Sequence, residues 1–372
     1  MSSRNVFNML EVIQGMRGAQ AQLSRQPLDY GCSQWILCSQ RASNLYRVGV
    51  KLWKKEELEK IERELAQSSK VTRFTVHLID GRIVHIRNPM YGEPRPIWQP
   101  YVEFRDYWRL VKEEPNKSPG IYLCSYLVNW NNLVARDYEK RIEFAAWLFD
   151  DMGHTWNNSE TCKFFKSLVC KLLKTMKVTK VICFGLGDIT RNPPVWWTKQ
   201  NFQEVQEADS AIVETRAVQH SMALTLAETI SQETGRDVRC MAQDPDYTDE
   251  TKKILRENGF EIVGQFGAGG FAEVDDESAV ISIFPNAPVK QIIADIAQPV
   301  LFIRAAGDEA FNENGKPYID AESPRTEQMW RQYECLDIPT LTDEARLKVE
   351  LDKLKVYTRV SEVHGSAESL YM

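Results

Sequence analysis

The chain has 372 residues, 43% hydrophobic and 26% charged, a composition of ordinary globular proteins rather than disordered or fibrous ones. Its net charge of −6 is uneven: residues 1–177 carry 27 basic and 19 acidic side chains, and residues 178–372 carry 19 and 33. No apolar run nears the roughly 20 residues that span a bilayer, and basic stretches such as KLWKKEELEKIERELAQ interleave their charges as solvated helix faces do, which argues against nucleic acid as a partner.

The first 18 residues have too short an apolar stretch for a signal peptide, and Glu11 weighs against a mitochondrial presequence. The eight cysteines include no CxxC pair and the five histidines no HExxH spacing, so buried thiols are expected rather than disulfides or zinc. These features lead to the expectation of a cytoplasmic protein, with the nucleus as a further location, and of no membrane partner.

In chain order, Leu52, Leu58, Ile61 and Leu65 recur at helical spacing over 52–66. The stretch TRFTVHLIDGRIVHIRN follows as a hairpin turning at Asp80-Gly81, with His77 and His85 as strand residues. Residues 89–120 read as irregular with a short helix at 104–111, and 121–128 as a strand. Helices are expected at 138–151 and 159–176, separated by Gly153 and the cap-like Asn157-Asn158-Ser159.

From Lys180 the pattern becomes strand–helix alternation. Strands are expected at 181–184, 238–242, 261–263, 279–284 and 300–304. Between them lie an insertion at 188–214, a helix through Val218, Met222, Leu226 and Ile230 closed by Gly235, a helix from Thr248 to Asn258-Gly259, and a helix at 289–297. A polar tail with a late helix over 343–357 ends the chain. The fold class is α/β: a Rossmann-like three-layer unit with a mainly parallel sheet, plus an α+β N-terminal region containing a β-hairpin. The domains read as 1–157, 158–307 and a 308–372 extension.

Ligands of such sheets bind at the carboxyl ends of the strands. Those ends offer Gly185, Gly187 and Asp188 after the first strand, Asp244 after the second, and Pro285 and Asn286 after the fourth. Gly185 and Gly187 suit close backbone approach by a phosphate, or simply a tight strand exit. Asp244 stands where such folds often hold a ribose, or is a turn residue before Pro245. The dinucleotide fingerprint is incomplete, with Thr190 at its last position. Gln219 and His220 are placed in the first turn of their helix, near the Gly185–Gly187 turn, where His220 serves as a base, a phosphate contact or a packing residue. There is no GxSxG, so no nucleophile–base–acid set can be assembled and no catalytic residue is assigned.

The ordered strings VICFGLGDI, AVQHSMALTLAE, QDPDYTDETKKILRENGFEIV and FPNAP, over roughly 160–306, resemble the sensitivity-to-red-light-reduced (SRR-like) domain family. That family has a strand ending in GLG, an RQHA-type helix start, a YDP segment, a GFE strand and an MPHCP loop. Here Ala217-Val218 take the place of the arginine, with Arg216 adjacent, and Asn286-Ala287 take the place of the His-Cys pair. The resemblance implies a regulatory protein, linked in its relatives to clock and light signalling, haem metabolism or cytoskeletal stability, with no settled reaction. The N-terminal half and the insertion with Trp196-Trp197 look like a fungal-type elaboration. Two readings stand: a regulatory protein that binds a protein partner or a small nucleotide-like ligand, and an enzyme using a nucleotide cofactor such as S-adenosylmethionine.

Overall fold

The computed structural model describes residues 33–93, 97–112, 119–138, 141–173, 176–192, 211–283, 285–305, 310–338, 347 and 354–360. The N-terminal region supplies two antiparallel pairs. β1 (Arg73–His77) and β2 (Ile83–Arg87) form the expected hairpin, with His77 opposite Ile83 and His85 opposite Thr75. β3 (Trp98–Phe104) pairs with β4 (Tyr126–Asn132) inside a stretch whose prolines and aromatics concealed a strand.

The main sheet has seven strands. β5 (Lys180–Phe184), β6 (Arg239–Gln243), β7 (Phe260–Ile262), β8 (Ser278–Ser282) and β9 (Leu301–Ala305) are parallel neighbours in the order β7-β6-β5-β8-β9. β10 (Tyr333–Asp337) and β11 (Leu354–Arg359) extend it antiparallel beyond β9. The expected late helix over 343–357 falls mostly outside the described residues, and its last positions belong to β11 instead. Val356 and Tyr357 alternate onto opposite faces there, a period-two pattern that suits a sheet edge.

Each face of the sheet has its own core. Val181, Cys183, Ala242, Ala279, Ile281 and Ile303 point toward the helices Ala145–Asn157, Glu160–Leu172, Ala211–Thr234 and Asp249–Glu257. Ile182, Phe184, Met241, Val280 and Phe302 point the other way. They meet helices Lys55–Ala66, Tyr107–Val111, Gly269–Glu273, Val289–Ile296 and Pro324–Trp330 and residues of both antiparallel pairs. The outcome is a three-layer α/β molecule in which the N-terminal region builds much of the second outer layer.

The caps explain several helix boundaries. Ser159 accepts the Cys162 N–H at 2.9 Å and Thr248 accepts the Thr251 N–H at 3.1 Å, both as N-caps. Gly153, expected as a break, lies within its helix, where a Cβ would make only ordinary contact with Ser221 at 3.4 Å. The N-terminal region is pinned to the sheet by Glu62. Its carboxylate accepts the N–H groups of Phe266, Ala268 and Gly269 at 2.9, 2.9 and 3.0 Å. Burial raises the Glu62 pKa, and those three N–H groups oppose the rise.

Candidate functional site

The strand order reverses between β5 and β8. The helix after β5 packs on one face and the helix after β8 on the other, so this is the switch point where a crevice is expected. Two loops meet there, and their contact is tight. A Cβ on Gly185, which has φ of +66°, would lie 2.9 Å from the Cα of Pro285. Gly187, at φ +82°, faces Arg216, whose Nε would lie 2.4 Å from its Cβ. Both glycines therefore admit protein neighbours. Pro285 fills the switch-point crevice where a phosphate would have approached Gly185. Asn286 is exposed on the adjoining loop.

A cluster of polar groups lies one strand over, between the ends of β5 and β6. Asp244 is partly accessible and caps two turns: Oδ2 accepts the Gly187 N–H at 3.0 Å, and Oδ1 accepts the Asp246 N–H at 2.9 Å. Dense surrounding protein, and next the Asp246 charge, push its pKa up to about 6. Arg216 reaches across from its helix and donates through Nη1 to the carbonyls of Asp188 at 2.8 Å and Arg191 at 3.2 Å. Arg191 in turn pairs with Asp246 through Nη2, while its Nε and the Oδ1 of Asn192 are buried without a hydrogen-bond partner. Two carboxylates, two guanidiniums and an unmatched amide oxygen thus gather at one rim, where Asp246 is exposed, Asp244 and Arg216 are partly so, and Arg191 is buried.

Other expected site residues sit inward of that rim. Asp188 is 2% exposed and takes four hydrogen bonds. Oδ1 accepts from Thr190 N at 2.8 Å and Thr190 Oγ1 at 2.7 Å; Oδ2 accepts from Thr248 N at 2.6 Å and Thr251 Oγ1 at 2.8 Å. It is a staple between the β5 exit and the helix after β6. Gln219 is buried as well.

His220 is fully buried and lies mid-helix, because its helix begins at Ala211 and not near His220 as expected. The insertion masked this in the sequence: 211–214 looked like part of it, and 193–210 lie outside the described residues. His220 Nδ1 is 2.7 Å from the Arg216 carbonyl, which can only accept, so Nδ1 carries the proton. Nε2 then accepts the Tyr247 hydroxyl at 2.8 Å. Burial holds the His220 pKa down to about 4, so the ring is neutral at pH 7. Phe149 and Phe260 pack edge-on against it.

In the sequence nothing singles out Arg191 or Tyr247, and Arg216 stands out only as the neighbour of a motif. The four-residue spacing of Arg216 and His220 does place them on one helix side. Nothing local marks Arg191, whose partner Asp246 lies 55 residues away.

Residues 163–306 match the family model of the SRR1 domain. No curated protein and no solved structure matches the chain. The match starts within helix Glu160–Leu172 and ends just beyond β9, so it spans the parallel strands and the whole rim.

Proposed function

We propose that this chain, which carries an SRR-like domain, is a regulatory binding protein. It takes a small polar ligand at the rim formed by Asp244, Arg216 and Arg191, and it does not turn that ligand over. One observation carries the reading. The imidazole that could have served as a base, His220, is 0% exposed, neutral, and bonded through both nitrogens to the protein itself. A general base must come within hydrogen-bond reach of the proton it removes, and nothing can reach that ring without unfolding its pocket. Asp188 is likewise committed to the fold, and the glycines face Pro285 and Arg216.

The rim itself suits recognition. Each Asp244 oxygen accepts one backbone N–H and retains a lone pair for a ligand hydroxyl or amine. That feature also supports a second reading, in which Asp244 holds the ribose of a nucleotide cofactor such as S-adenosylmethionine at the end of β6. A thermal-shift screen of the full chain with adenosylmethionine, NAD, ATP and haem separates them. A shift with one nucleotide that Asp244→Ala abolishes favours the cofactor reading; no shift with any of the four removes it.

The division at 157/158 with a C-terminal extension from 308, a fungal-type lineage and residence in the cytoplasm or nucleus belong to the same proposal. Limited proteolysis tests the division: cleavage near 157 that releases a folded fragment supports it, and uniform degradation opposes it.

A further inference from the structure

A second group of charges lies on the opposite face of the sheet, at the ends of β8 and β9. Lys290, in the first turn of helix Val289–Ile296, and Arg304, near the end of β9, are each only 4% exposed. Lys290 stands at a helix N-terminus, which favours anions, and Arg304 reaches the same carboxylate as Lys290, that of Glu322. Buried ion pairs are at best weak contributors to stability, so stability alone gives little reason to place two such charges in an interior.

Their counter-charges come from beyond the SRR1-matched segment. Glu322, 6% exposed, receives Lys290 Nζ at 2.7 Å and Arg304 Nη2 at 3.5 Å on Oε1, and the Trp330 indole N–H on Oε2 at 3.0 Å. Asp320 accepts the backbone N–H of Lys290 at 3.0 Å, in the position an anion takes at a helix N-terminus. The two carboxylates together carry the charge of a phosphate dianion.

An independent feature points to a ligand in the same place. Ser282 is β8's last residue, 2% exposed, and its hydroxyl is buried with no hydrogen-bond partner. It is the register partner of Arg304. Both stand two positions after residues of the second core, Val280 and Phe302, so their side chains share that face. A buried hydroxyl left unmatched is costly and calls for a reason.

We propose that Ser282, Lys290, Arg304 and the first-turn N–H of helix Val289–Ile296 form a binding site for a phosphate-bearing small molecule, held in this state by Asp320 and Glu322 as internal surrogates. The ligand displaces the 320–322 segment, takes both cations and satisfies Ser282. The site is separate from the Asp244 rim and does not depend on the reading given for it.

The test uses inorganic phosphate and the full chain. In the double variant Asp320→Asn/Glu322→Gln the surrogate charge is gone, so its melting temperature starts below that of the unchanged protein. Phosphate should then raise it in a saturable way, by about 3 °C at one hundred times the dissociation constant, with a smaller rise in the unchanged protein. Adding Arg304→Met should abolish the rise. A double variant recovered only in phosphate buffer also supports the site. If that variant cannot be recovered at all, Asp320→Asn alone is titrated with phosphate in the same way. Equal shifts in sodium chloride of matched ionic strength, or no shift in any variant, overturn the proposal. Stronger stabilisation by glycerol phosphate than by inorganic phosphate identifies an organic phosphate ester as the ligand, and equal stabilisation identifies free phosphate.

Discussion

Replacing Asp188 by alanine tests whether that residue belongs to the fold or to a ligand. Its carboxylate accepts two backbone N–H groups, from Thr190 and Thr248, and two threonine hydroxyls. The hydroxyls have an alternative, since Thr190 Oγ1 and Thr248 Oγ1 already lie 2.8 Å apart and Thr251 Oγ1 is 3.2 Å from Thr248 Oγ1. The two amides have none nearby. Each buried donor left unmatched costs about 1–3 kcal/mol, and water entering the space returns part of that. The expected loss is about 4 kcal/mol, a large share of a typical folding free energy. Asp188→Asn should recover only part of it, because one end of the amide presents donors to donors. Urea unfolding followed by tryptophan fluorescence reads the change, with the midpoint falling at constant slope. A loss below about 1 kcal/mol, together with lost ligand binding, would refute the staple and restore Asp188 to the ligand site.

Three further outcomes are expected. Gly187→Ala combines a left-handed backbone position with a Cβ 2.4 Å from Arg216 Nε; it should cost about 2–3 kcal/mol in urea unfolding, and ligand binding at the rim should weaken with it. Glu62→Ala leaves the N–H groups of Phe266, Ala268 and Gly269 unmatched; a loss of about 3 kcal/mol and faster proteolysis in the 264–270 loop are expected, and unchanged proteolysis would count against the pin. Asp244 has a folded pKa of about 6, above its ordinary value, so the folded state holds the proton more tightly than the unfolded chain. Its contribution is fully favourable below about pH 4 and is lost as pH rises to about 6. Asp244→Asn lacks this loss. The stability difference, variant minus unchanged protein, should therefore climb between pH 4 and 6 and level off above; a flat difference across that window would remove the shifted carboxyl.

Much of the architecture was legible in the sequence. The apolar runs at 181–184 and 279–284 could only be strands covered on both faces, and the glycines at 235 and 259 marked helix ends, where φ values of +65° and +92° now place them. β3 was missed because Pro100 lies within it, and that proline is accommodated in a two-stranded pair, where an unused N–H position is tolerated. β10 lies in a stretch read only as polar, and β11 was missed because the helix expected over 343–357 runs into it.

The candidate site was legible only as an inventory. Gly185, Gly187, Asp244 and Asn286 do stand at strand ends, as the alternation required. Which of them faces solvent did not follow from it. Periodicity reports which side of an element is buried, a property of neighbours a few residues apart. The identity of the buried neighbour is a property of through-space packing. Asp188 meets Thr248 and Thr251 across 60 and 63 residues, Arg216 fills the space beside Gly187, and Glu322 closes on Lys290 and Arg304 from a tail that reads as merely polar. The sequence determined by itself that a parallel α/β sheet forms between Lys180 and Ala305, since short apolar runs can be buried on both faces only in that way. Only the tertiary structure decided which charged groups at its edge are bonded inward and which remain available, because desolvation makes every buried charge find a partner wherever in the chain that partner lies.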